Sequence, residues 1–233
     1  MRGFVRMFGL PVNWAIYEAL EHSVKTGLPA ADKTVPNGYW AYYAAPGGQP
    51  YFQRGNGGQG ARPDRRGIMA AYDFSGFGLI GDIGGGRGHL LHVILDSTPT
   101  AKGVLFDLPH VVEEAAGMAS DRLRLQSGDF FKDTLPACDA YLLMEVIHDW
   151  GDEESVAILK AIRRAAPPHA KLLLIETIVP DDPRSRLVED AGHSHADPAW
   201  RATTHPAGIR SAVRQVGLSC PTRNRHRRGH RDP

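Results

Sequence analysis

The run Leu79-Ile80-Gly81-Asp82-Ile83-Gly84-Gly85-Gly86-Arg87-Gly88-His89-Leu90-Leu91 leads an apolar strand pattern into a glycine cluster and then into a helix-like segment. Glycines at 84, 86 and 88 leave no Cβ at the turn, so backbone amides can approach a ligand while the following helix aims its N-terminus at it. This is the pattern of a nucleotide cradle. Asp107 follows Gly86 at about the 20-residue distance at which such folds place a ribose-binding carboxylate.

Outward from this run, strands and helices alternate between Ile68 and Pro180, the mark of a parallel sheet covered on both faces. Strands are expected at Gly78–Ile83, Lys102–Phe106, Leu123–Ser127, Ala140–Val146 and Ala170–Glu176. Helices are expected at Arg87–Ser97, His110–Ala119 and Glu153–Ala166. Right-handed crossovers bring the strand ends to one edge, where ligands bind in such sheets. That topology gathers Asp82, the glycines, Asp107, Asp129 with Phe130, His148-Asp149-Trp150 and Glu176 around one crevice.

The glycine spacing narrows the ligand. A dinucleotide-binding G-x-G-x-x-G fails here, because His89 or Leu91 occupies the third glycine position. An NAD-dependent oxidoreductase is therefore a poor fit. G-x-G-x-G after Asp82 instead suits a ligand with a positive sulfonium and an amino-acid tail. Asp107 can take both ribose hydroxyls, and Asp129 with Phe130 offers a polar edge and an apolar face to an adenine.

Three ordered motifs carry a family resemblance: Phe106-Asp107-Leu108-Pro109-His110-Val111, Gly128-Asp129-Phe130-Phe131 and His148-Asp149-Trp150. The chain resembles the S-adenosylmethionine-dependent O-methyltransferases that act on plant phenolics and bacterial polyketide or phenolic metabolites. The resemblance covers about residues 1 to 53 and 67 to 183. It implies a Rossmann-like class I α/β methyltransferase with a mostly parallel sheet, preceded by a helical remnant of a dimerisation domain. The cofactor, S-adenosylmethionine, would be held by Asp82, Gly84, Gly86, Gly88, Asp107, Leu108, Asp129 and Phe130. His148 would remove the proton of the acceptor hydroxyl, with Glu176 orienting its imidazole. Chemistry agrees, since a phenol (pKa about 10) can pass its proton to a positioned imidazole (about 6.5) as the oxygen attacks the methyl group. Asp149 has two readings, a cap for the helix beyond Gly151 or a neighbour of His148. The family needs no metal, and no histidine pair here has ligand spacing within a carboxylate cluster.

The remaining expectations concern the flanks. Residues 1–67 are read as a helical remnant and atypical linker, 68–183 as the S-adenosylmethionine-binding catalytic domain, and 184–233 as an atypical basic tail, disordered. Phe4 to Leu28 reads as one helix, with Phe4, Phe8, Trp14, Leu20 and Val24 at near-helical spacings, stopped by Thr26-Gly27-Leu28-Pro29. Trp40, Tyr42, Tyr43 and Tyr51 form an aromatic patch read as packing. The stretch from Gln53 to Gly67 has no period. After Pro183 fall ten arginines and five histidines, against a whole-chain formal charge of +1. No aromatic is interleaved among Arg223, Arg225, Arg227, Arg228 and Arg231 to stack on bases, so nucleic acid is not an expected partner.

The resemblance also implies a homodimeric family of which this chain lacks most of the dimerisation domain, and a small aromatic acceptor as partner. Met144 stands where plant relatives often carry a lysine. The competing reading is a truncated or frameshifted, non-catalytic remnant, with 53–67 and the tail out of frame. No apolar run reaches the roughly 18–20 residues of a bilayer span, and no signal segment is evident, so a cytoplasmic location without membrane partners is expected. Two cysteines, Cys138 and Cys220, cannot build a disulfide framework.

Overall fold

The computed structural model describes residues 8–44, 65–176 and 206–217. Tyr51, residues 53–64, Cys220 and the basic cluster from Arg223 onward lie outside the described residues.

Among the described residues five helices come first: α1 (Pro11–Glu18), α2 (Leu20–Thr26), α3 (Ala30–Thr34), α4 (Tyr39–Ala44) and α5 (Arg65–Ala71). The sheet region follows with β1 (Leu79–Ile83), α6 (His89–Ser97), β2 (Lys102–Asp107), α7 (Pro109–Glu114), β3 (Leu123–Ser127), β4 (Ala140–Met144), α8 (Asp152–Ala165) and β5 (Lys171–Ile175). A further described helix, α9, spans Pro206–Gln215.

All neighbouring strands pair in parallel, in the order β3-β2-β1-β4-β5. Alternation along each strand sorts the side chains onto two faces. Ile83, Val104, Phe106, Tyr141 and Leu143 pack with Ile158, Leu159 and Ile162 of α8, whereas Ile80, Leu105 and Leu142 pack with Leu90, Leu91, Ile94 and Leu95 of α6. Both faces are therefore core. This explains why β2 and β4 read as near-continuous apolar runs, whereas the edge strand β3, Leu123-Arg124-Leu125-Gln126-Ser127, alternates. Five parallel strands fall where the sequence predicts them, with ends that differ by a residue or two.

The N-terminal region departs from expectation. In place of one helix over Phe4–Leu28, the chain makes α1 and α2, parted at Ala19, and Gly27 closes α2 in the left-handed conformation at φ 72°. Of the apolar residues that set the expected period, Trp14, Leu20 and Val24 face outward, Trp14 61% and Val24 80% exposed, and Phe4 lies outside the described residues. Ile16 and Asn13 are the buried positions, against Ala30, Ala31 and Val35. Helical spacing marks a stripe but not the neighbour it meets, and the short α3 takes the other stripe.

The tail departs too. Within the segment expected to be disordered, α9 buries Ile209, Ala212 and Val213 in the core cluster that α8 lines, and Gly217 follows at φ 72°. Three small apolar residues at helical spacing suffice to dock it, a weak signal among arginines. Cys138 is buried beneath Gly81, and burial pushes its thiol up to about 12, which makes it an inert core residue. No helix among the described residues is long and apolar enough to cross a membrane.

Candidate active site

The strand order reverses direction at β1, so β2 and β4 flank it and a crevice opens at the carboxyl edge of all three. Gly84 directly follows β1 there. A Cβ on it would stand 3.1 Å from Val146 after β4 and 3.8 Å from the Phe130 ring after β3, so the glycine turn joins both sides of the crevice.

The turn is built around two carboxylates. Gly86, at φ 59°, aims its N–H at Asp107 Oδ2 (2.7 Å), a backbone shape that disfavours any side chain. Leu108, immediately before α7, donates its N–H to Asp107 Oδ1 (2.7 Å). Each carboxylate oxygen keeps a lone pair for a hydroxyl. Burial pushes the Asp107 carboxyl up to about 6, opposed by those two amides. Asp82 lies beneath the turn, 1% exposed, and a Cβ on Gly85 would run into its carboxyl group. Neither Asp82 oxygen meets hydrogen-bond geometry with a partner; burial and the Asp107 charge push it up to about 7, opposed by the Leu91 amide. Gly88 adjoins Leu105 at the start of α6.

Beyond β3, Asp129 Oδ1 accepts the Phe131 N–H (2.9 Å) and Oδ2 pairs with Lys132 (2.8 Å). Burial works against ionisation there, yet the lysine and the Phe131 amide hold the carboxyl below the usual range. Phe130 packs edge-on to Trp150 (5.7 Å, 81°), as does Phe131 (4.8 Å, 75°).

The opposite wall holds the base candidate. His148 sits in a 3₁₀ turn, Ile147–Asp149, that follows β4, and Glu176 directly follows β5. The pairing of β4 with β5 brings them together: His148 Nδ1 meets Glu176 Oε2 at 2.7 Å. Glu176 Oε1 accepts the N–H groups of Val146 (3.2 Å) and Ile147 (2.8 Å), which anchor the carboxylate. His148 Nε2 lies 3.4 Å from Asp149 Oδ1. Of the two readings of Asp149, the structure therefore supports the neighbour of His148; α8 starts from Gly151 without a side-chain cap. Burial pulls the imidazole down, but the Glu176 hydrogen bond and the charges of Asp149, Glu176 and Glu145 outweigh it and push His148 up to about 9.

All the expected site residues thus line this edge or lie directly under it. Sequence reasoning left two side chains out of the site, Trp40, read as packing, and Glu145. Trp40 of α4 stacks on Trp150 (6.0 Å, 25°), a contact across more than a hundred residues that no local signal announces. Glu145 was passed over because only its position one step past β4, at φ 54°, gives it interest. The edge fits a nucleoside-bearing sulfonium: a carboxylate set by two amides with lone pairs left for hydroxyls, a glycine turn open to a close approach, a buried acid beneath it and an aromatic wall.

Comparison with known proteins agrees. The family model described as O-methyltransferase domain matches residues 46–194. The mitomycin biosynthesis 6-O-methyltransferase of Streptomyces lavendulae is 32% identical over 219 residues, 88% of this chain and 62% of that protein. The phenazine O-methyltransferase PhzM of Lysobacter antibioticus is 40% identical over 167 residues, 69% of this chain and 48% of its own. Human N-acetylserotonin methyltransferase, solved in complex with SAM, superposes with a TM-score of 0.77 at 27% identity, covering 92% of this chain and 64% of that one. The chain thus spans roughly half to three-fifths of the two curated relatives.

Proposed function

Because the chain belongs to the O-methyltransferase domain family, we propose that it transfers a methyl group from S-adenosylmethionine to a hydroxyl of a small aromatic or polyketide-like acceptor. The observation that carries this reading is the 2.7 Å His148–Glu176 pair on the same strand edge as the Asp107 seat. The glycine turn, Asp107, Leu108, Asp129 and Phe130 are the residues that would hold the cofactor, with Asp82 supporting the turn from below. When bound, S-adenosylmethionine supplies a methyl carbon made electrophilic by its sulfonium and leaves as the neutral thioether.

The chain's own part is placement and proton handling. Glu176, held by two backbone amides, accepts the Nδ1–H of His148 and so presents Nε2 to the acceptor. As the acceptor oxygen attacks, its proton passes to that nitrogen, and the resulting imidazolium is stabilised by Glu176 and Asp149. A base pushed up to about 9 carries its proton at neutral pH. The chain therefore pairs readily with an acceptor that arrives as its anion, while a neutral acceptor needs the fraction of His148 that has lost its proton. Holding the oxygen in line with the bond that breaks contributes much of the acceleration.

The test is calorimetry of the chain with S-adenosylmethionine and S-adenosylhomocysteine, followed by methyl transfer from isotope-labelled cofactor to simple phenols. Saturable binding and a labelled methyl ether are expected. A folded chain that binds neither cofactor form overturns the proposal.

A further inference from the structure

One ionisable side chain in the crevice enters the chemistry above only through its charge on His148. Glu145 is the first residue past β4. Its N–H still donates to Ile175 of β5 (2.9 Å), after which the backbone turns through φ 54°, a conformation that side-chain-bearing residues rarely adopt. The turn leaves the carboxylate half-buried, within electrostatic reach of both His148 and Glu176. Its two acidic neighbours are occupied: Glu176 holds His148 and two amides, and Asp149 lies 3.4 Å from the imidazole. Among the described residues the Glu145 carboxylate has no hydrogen-bond or ion-pair partner. Burial pushes it up; His148 pulls it down and the Glu176 charge pushes it further up. One imidazole thus faces three carboxylates, an excess of acceptors that a donor entering the crevice relieves.

We propose that Glu145 reads a hydrogen-bond donor on the acceptor, an amino group or second hydroxyl ortho to the hydroxyl that faces His148. The inference rests on the methyltransferase reading and refines it to acceptors of the ortho-aminophenol or catechol class. Glu145 belongs to the acceptor side of the crevice. It directly follows the strand that pairs with β5, whereas Asp107 lies at the end of β2, across β1. An ionised carboxylate is among the stronger partners for such a donor, and removing it costs a donor-bearing ligand about tenfold or more in affinity.

The experiment compares the binding of 2-aminophenol and of phenol to the unaltered chain, E145Q and E145G by calorimetry under saturating S-adenosylhomocysteine. Glycine tolerates the left-handed backbone, so E145G removes the carboxylate without straining the turn. The unaltered chain is expected to prefer 2-aminophenol by at least about tenfold, and both variants to bring the two ligands within about twofold. A preference that survives both substitutions, an unaltered chain that shows none, or one that binds neither phenol overturns the proposal. So does a result in which E145Q weakens S-adenosylmethionine but not S-adenosylhomocysteine and keeps the 2-aminophenol preference, because the carboxylate would then serve the sulfonium. Methyl transfer is read separately on the same samples. A carboxylate-dependent preference without transfer to any phenol counts against the methyltransferase reading and leaves Glu145 its role; transfer without the preference does the reverse.

Discussion

The two walls of the crevice use one device with opposite results. On the β2 side, Asp107 spends one lone pair of each oxygen on a backbone amide, from Gly86 and Leu108. On the β5 side, Glu176 spends Oε1 on two amides and leaves Oε2 for His148. In both, the strand end anchors the carboxylate and the neighbour decides what it does. Burial pushes Asp107 up to about 6, while burial and the Asp107 charge push its buried neighbour Asp82 up to about 7. Glu176 faces an imidazole and pushes that group up to about 9. The same device recurs at the opposite edge of the sheet, where Asp139 accepts from Gly78 (3.0 Å) and Leu79 (2.8 Å) and pairs with an exposed His169 (2.9 Å). There it fastens the amino ends of strands and faces no crevice. An anchored carboxylate at a strand end is therefore common property of this fold; its partner and its edge make it functional.

The contrast can be broken most severely at His148. His148→Ala should lower methyl transfer by about 10²–10⁴-fold, the range for a lost general base, while S-adenosylhomocysteine affinity by calorimetry stays within about threefold. Loss of both would merge the two walls into one. Asp107→Ala should weaken that same binding by about 30- to 100-fold, the scale of losing hydrogen bonds to a charged group. Glu176→Gln tests the imidazole's setting. With the carboxylate gone, burial still pulls His148 down, so the acid limb of kcat/KM should move below its expected position near 9. Turnover should fall about tenfold as the ring loses its orientation.

Smaller effects concern stability. Asp82 has a folded pKa of about 7 against 3.8 unfolded, so the native chain holds its proton where the unfolded chain has released it. Stability should therefore fall as pH rises from about 4 to about 7, by about 1–3 kcal/mol, and Asp82→Asn should flatten that slope in denaturant titrations. Smallest of all, Asp139→Ala should cost about 1–2 kcal/mol in stability, measured the same way. Its methyl transfer per folded molecule should match the unaltered chain, because Asp139 sits at the edge away from the crevice.

Legibility followed the range of the interactions. Asp107 and Glu176 could be named early because each ends or directly follows an apolar strand, and His148 because it lies in the turn after one; parallel topology alone sends such residues to one edge. Asn13 and Ile16 could not be told from Trp14 and Val24 as inward positions, since the choice belongs to α3, a five-residue helix that docks on them. The Trp40–Trp150 stack and the α9 docking likewise join distant segments. Glu145 differs again: its sequence position was plain, but the left-handed backbone that sets it beside His148 was not.

The sequence by itself determined the order of strands and helices, the glycine turn and the edge at which the ionisable groups meet, because periodicity and turn chemistry act over a few residues. Tertiary structure alone decided which stripe of each N-terminal helix is buried, that α9 is docked, and that Glu145 stands within electrostatic reach of the imidazole. Those outcomes rest on packing and electrostatics between elements far apart in the chain, where burial shifts each group by what happens to lie beside it.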